Sequence, residues 1–152
     1  MIDDIAAAFN AEDATLDVMV SRGFGPDGLP SGADIENRIR NNKLVRVLVD
    51  VNPRPDMDLA QATRSNIMQG FAMMYCFAKS DSLAVSGLKD WWTTIAGDGG
   101  RILHNIEGKV TLGTVEFLHW RAVGGFQGFA TKHGGSVWMC DQMVEYAARV
   151  LP

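Results

Sequence analysis

The spacing of apolar residues changes several times along the chain, and each change marks an element. Ile2, Ile5, Ala6 and Phe9 recur at i, i+3, i+4 and i+7, which places them on one helix face near the start of residues 1–22. Asn10 or Asp13 can restart a second short helix through Leu16, Met19 and Val20, and Gly23 suits the turn that ends it. Residues 23–32, GFGPDGLPSG, hold four glycines and two prolines and predict a flexible internal loop. Ser31 and Asp34 have capping-box spacing, with Asp in place of Glu. A short helix through Ile35 and Ile39 follows, and Asn41-Asn42 ends it.

The period then shortens to two. In Leu44–Val51, Val45, Val47, Val49 and Val51 alternate with Leu44, Arg46, Leu48 and Asp50. This predicts a strand with one dry face and one mixed face, stopped by Pro53 and Pro55. Residues 52–66 are polar and broken, and read as an extended arm. Residues 67–79 fit strand better than helix, because Gly70 and the alternating aromatics disfavour a helix. Leu88, Trp91, Trp92 and Ile95, extended backwards by Val85, give the clearest helix over 81–96. Ser80, Asp81 or Ser82 can cap its start and Gly97 its end. Residues 101–107 suit a short strand, Gly108-Lys109 a turn, and Val110–Val123 a long alternating strand broken by Gly124-Gly125. Phe126–Thr131 is a bridge, and residues 132–135, Lys-His-Gly-Gly, signal a turn. Residues 136–150 fit a strand and a helix about equally well.

Composition narrows the class. The 152 residues carry 14 Lys+Arg against 18 Asp+Glu, a net charge of −4 that lacks the basic footprint of a nucleic-acid-coating protein. No apolar run is long enough for a membrane span, and MIDDIAAAF lacks the basic start of a secretory signal. The expectation is a single soluble, intracellular α+β domain, mainly an antiparallel sheet flanked by helices.

Chemistry-bearing patterns are sparse. His104, His119 and His133 lie far apart, and Cys76 and Cys140 are separated among apolar residues. No metal-ligand spacing results, and the thiols read as buried core. Ser86-Gly87 falls inside a helix rather than at a nucleophile elbow. The acid pairs Asp3-Asp4, Glu12-Asp13 and Asp56/Asp58 suit helix starts or solvent better than a hydrolytic cleft. Gly23–Gly25 and Gly97–Gly100 lack the residues that complete a phosphate cradle. No catalytic, cofactor-binding or metal site is therefore assigned. Arg38, Arg40, Lys43, Arg46, Arg54 and Arg64 form a modest basic cluster, read as a solvated face or a subunit salt-bridge network. Trp91-Trp92, with eight methionines and four tryptophans overall, points to self-association.

The order of elements resembles the tail terminator (tail completion) proteins of long-tailed bacteriophages, the lambda type in particular. Three places carry the resemblance: Leu44–Val51 with its polar arm to Asn66, Met68–Lys79 with the helix Ser82–Ala96, and the ending from His133 through Trp138 to Val150. The last inclines 136–150 toward strand. The likeness covers about 110 residues by pattern, and the longer N-terminal part at 23–42 departs from it. The resemblance implies a structural virion protein, assembled in the host cytoplasm and resident in the tail or neck. It would form a homohexameric ring that caps the tail tube, stops its polymerisation and meets the head–neck connector protein. Genomic DNA would pass through the lumen without sequence-specific binding. It implies no enzyme activity and no cofactor.

A closed ring needs two different patches per subunit, which exposed strand edges and the arm can supply. Arg38, Arg40, Arg54 and Arg64 are the candidate inter-subunit ion-pair residues, and Trp91 and Trp92 the candidate apolar contacts. Three alternatives stand beside this reading: another phage neck or connector component, a small-molecule-binding α/β enzyme with a pocket lined by Tyr75, Trp91, Trp120 and Trp138, and a homodimeric adaptor.

Overall fold

The computed structural model describes residues 2–21, 32–51, 67–95, 110–112, 115–124 and 128–150. The arm at 52–66, most of the loop at 23–32 and the segment at 101–109 lie outside them. The elements are α1 (Ile2–Glu12), a 3-10 turn (Ala14–Leu16), β1 (Val18–Ser21), α2 (Gly32–Asn42), β2 (Leu44–Asp50), β3 (Ile67–Ala78), α3 (Asp81–Ile95), β4 (Val110–Leu112), β5 (Val115–Ala122), β6 (Thr131–Gly134) and β7 (Val137–Val150). The seven strands form one mixed sheet in the order β1-β2-β3-β7-β5-β4, with β6 also on β7. Among the described strands β1 and β2 pair in parallel and the other ladders are antiparallel. The domain is thus α+β, with a mainly antiparallel sheet between helices.

The central ladder runs from Ile67 opposite Arg149 to Ala78 opposite Trp138. Its alternation sorts two cores onto the two faces of the sheet. Ala72, Met74, Cys76 and Ala78 of β3 face α1 and α3, together with Cys140, Val144, Tyr146 and Ala148 of β7. Met73, Tyr75 and Phe77 face α2, whose Ile35 and Ile39 are buried on Val45, Val47 and Val49. β2 is therefore covered on both sides rather than having one dry face, and Arg46 and Leu48 are buried as well as the valines.

Local chemistry explains the boundaries. Ser80 caps α3: its Oγ accepts from the Leu83 amide at 3.2 Å. Lys43, at φ 67, closes α2 by donating its amide to the Ile39 carbonyl at 2.9 Å. Asp13 caps the 3-10 turn by accepting from the Thr15 amide. Gly87 lets α3 sit close to the sheet, since a Cβ there would lie 2.7 Å from Cys76 Sγ.

Three expectations are corrected. The second short helix, capped by Asp13, ends at Leu16 as a 3-10 turn, and Met19 and Val20 lie instead in strand β1. Asp17 breaks the helical path at φ 46, and Asn10 grips Val18 from both sides. Its side chain donates to the Val18 carbonyl at 2.9 Å and accepts the Val18 amide at 2.8 Å. Val110–Val123 is a hairpin rather than one strand, because Leu112 pairs with Val115. Residues 131–134 form strand β6, so the tight turn comes later, at Gly135-Ser136.

Candidate interface surface

Among the described residues four large apolar side chains are exposed: Phe71 and Met143 at 37%, Val123 at 42% and Phe129 at 61%. Three of them are neighbours by topology. Met143 lies opposite Met73 and one step diagonally from Phe71 on the α2 face of the sheet. Val123 joins Met143 from the other side, its amide donating to the Met143 carbonyl at 2.9 Å. Phe129 lies two residues before Thr131, which pairs with Met139 of β7. α2 covers this face over Val45–Val49 and Tyr75–Phe77. Beyond that, Gln69, Phe71, Met143 and Glu145 stand exposed.

Val123 and Met143 are held from the other face of the sheet. Gln142 points to the opposite face and is buried; its Nε2 donates to the Val123 carbonyl at 3.3 Å and to the Met143 carbonyl at 2.8 Å. Gly124 and Gly128 take φ of 75 and 68, which a side chain would oppose. Phe129, 61% exposed next to Gly128, is an apolar side chain left in water and suited to contact. Charges border the patch. Arg121 lies opposite Glu145, and Arg149 Nη1 is 3.6 Å from Glu116 Oε2. An apolar centre with a charged border is the anatomy of an association surface.

The structure separates the contact residues expected from sequence. Arg38 and Arg40 are exposed on α2, on the side of the sheet that carries the patch. Arg54 and Arg64 lie outside the described residues. Trp91 is not a contact residue: it is fully buried, edge-on to Phe9 at 6.2 Å, in the core beneath α1 and α3. Trp92 is half-buried against that same core. Arg46 is buried rather than part of a solvated basic face. The edge strands β1 and β4 are four and three residues long, so the described edges offer little backbone for strand pairing.

The aromatic pocket is dispersed. Trp91 and Trp120 pack into the α1–α3 core, whereas Tyr75 lies on the α2 face. Trp138 is half-buried with the Lys132 ammonium 5.7 Å above its ring. His133 sits edge-on to Phe77 at 5.0 Å. Among the described residues no three His, Cys, Asp or Glu gather as a metal site. Among the described residues no helix is long and apolar enough to cross a membrane.

The patch itself escaped sequence reading, because Phe71 alternates like a buried residue. The run Gly124-Gly-Phe-Gln-Gly-Phe129 was the available signal. No known family model matches the chain, and no curated protein matches it in sequence.

Proposed function

We propose that this chain is a structural subunit that assembles with copies of itself into a ring, and that its station is the end of a phage tail tube, as in tail terminators. The observation that carries the association is the clustering of Phe71, Val123 and Met143 on one stretch of sheet that no described element covers, with Phe129 exposed shortly after in the chain. The order of elements supports the station: a long central hairpin flanking residues 52–66, then a helix, then a closing strand that pairs with the hairpin. In that reading the ring meets the tube protein on one side and the head–neck connector on the other, while DNA passes through the middle.

The test is the molar mass by light scattering across a concentration series, followed by negative-stain imaging alone and with purified tail tubes. Rings, or tubes capped at one end, are expected. A species that stays monomeric and leaves tube ends growing overturns the proposal. A ring that binds connector but not tube moves the station to another neck component.

A further inference from the structure

We propose that the cleft at the foot of β1 and β2 is a binding site for a single carboxylate group, held between Arg46 and Arg38. The cleft has a volume of about 360 Å³ and lies between the 3-10 turn, the last turns of α2 and the start of β2. Arg46 is 8% exposed and forms its inner wall. Its Nε donates to the Gly87 carbonyl at 3.1 Å, and its Nη1 to the carbonyls of Leu16 and Thr15 at 3.2 and 3.4 Å. These neutral acceptors orient the guanidinium without cancelling its charge. Among the described residues no carboxylate lies within salt-bridge distance of it. Among the described residues Nη2 has no acceptor, and Arg46 lines the cleft.

A buried cation without a counter-ion is costly, and an anion supplied from outside offsets that cost. Arg38 adds a second guanidinium at the mouth, and Thr15 and Asn42 add neutral polar groups. Asp17 on the rim carries the opposing charge, which leaves the lining one positive charge in excess. That balance fits a monoanion, and the planar fork of a fixed arginine fits a carboxylate. The carboxylate has two sources: a free small acid, or an Asp or Glu side chain from a second copy of the chain. The site does not depend on the ring reading.

The test is a ¹H–¹⁵N chemical-shift titration with sodium acetate, against sodium chloride at equal ionic strength. Saturable shifts are expected at Arg46 Nε–H and the Thr15–Asp17 amides. Arg38→Gln, an exposed substitution that leaves the core intact, should weaken acetate binding about tenfold. Arg46→Lys keeps the charge, loses the fork and should weaken it at least as much. Acetate that binds without changing the molar mass identifies a free acid as the source. Acetate that dissociates oligomers, with Arg38→Gln doing the same, identifies a second copy. Shifts that do not saturate, that match those from chloride, or that survive Arg38→Gln unchanged overturn the site.

Discussion

Cys76 and Cys140 are cross-strand partners, directly opposite each other on the buried face of the β3–β7 ladder. The Val51 amide donates to the Phe71 carbonyl, so odd residues of β3 bond toward β2 and even ones toward β7. Cys76 and Cys140 therefore occupy a hydrogen-bonded pair, with Cβ atoms about 5.5 Å apart. A relaxed disulfide needs about 3.8 Å. The two thiols touch one core without being placed to join.

Burial raises the Cys76 thiol to about 12, an effect that Arg46 opposes, and raises Cys140 to about 11. Both thiols are expected to stay reduced in air and to react slowly with a thiol reagent near pH 8, then rapidly in 6 M guanidinium (about the concentration that unfolds most domains). A colorimetric thiol count reads both. A Cys76–Cys140 disulfide found by mass spectrometry in the folded protein would refute the geometry.

The same shifts set an alkaline limit. Tyr75 is also raised by burial, with the charge of Asp141 adding, to about 12. A group whose folded pKa is raised holds its proton longer in the native state than in the unfolded chain. Its stabilisation is complete below the unfolded pKa and is lost as pH rises through the folded one. With ordinary values of 9.0 for the thiols and 10.0 for the phenol, stability should be flat to about pH 9 and fall steadily toward 12. Thermal melts across that range check this, and Tyr75→Phe should flatten the part above pH 10.

Gly87→Ala should destabilise the fold despite better helix propensity. The gain is about 1 kcal/mol, while overpacking against Cys76 Sγ and Leu44 costs about 1–3 kcal/mol. Cys76→Ala in the same chain removes the nearer clash, so the double variant should lose less than the sum of the two single changes. Urea unfolding of the four proteins in that cycle measures the coupling.

Asn10→Ala removes both bonds that hold Val18 in place. A loss of about 1–3 kcal/mol is expected. Hydrogen exchange should quicken at Val18–Ser21 and remain slow in the β3–β7 ladder. Equal acceleration in both would show that β1 is not a separately released edge.

Met143→Lys combined with Phe129→Ser should lower the molar mass of any assembly while leaving the melting temperature within a few degrees, because both side chains are exposed. Reversing charge at Arg54 and Arg64 tests the arm separately. Full-size assemblies after both pairs of changes would remove the patch and the arm from the interface.

Much of the framework was legible in the sequence. β2, β3 and α3 follow from period-two and period-3.6 spacing in uninterrupted runs, and Ser80 was readable as a cap. β1 was not legible, since four residues are too few to show a period and its strand geometry comes from pairing with Arg46–Val49 and from Asn10. The fate of Arg46 was hidden for a related reason. Its neighbours in sequence are valines and basic residues, while the carbonyls that accept its hydrogens come from Thr15, Leu16 and Gly87. Sequence placed Phe71 on an alternating strand but could not show that α2 stops short of it.

The central ladder has a consequence for how the chain reaches this state. β3 and β7 form the middle of the sheet, yet Ala72 and its partner Val144 are separated by most of the second half of the chain. Such long-range closure slows folding relative to domains built from neighbouring segments. Until β7 is made and docks, the β2–β3 hairpin presents a twelve-residue strand with one open edge and two apolar faces. During synthesis that edge is the point most exposed to wrong pairing. The yield of native protein therefore depends on how promptly the C-terminal strand arrives.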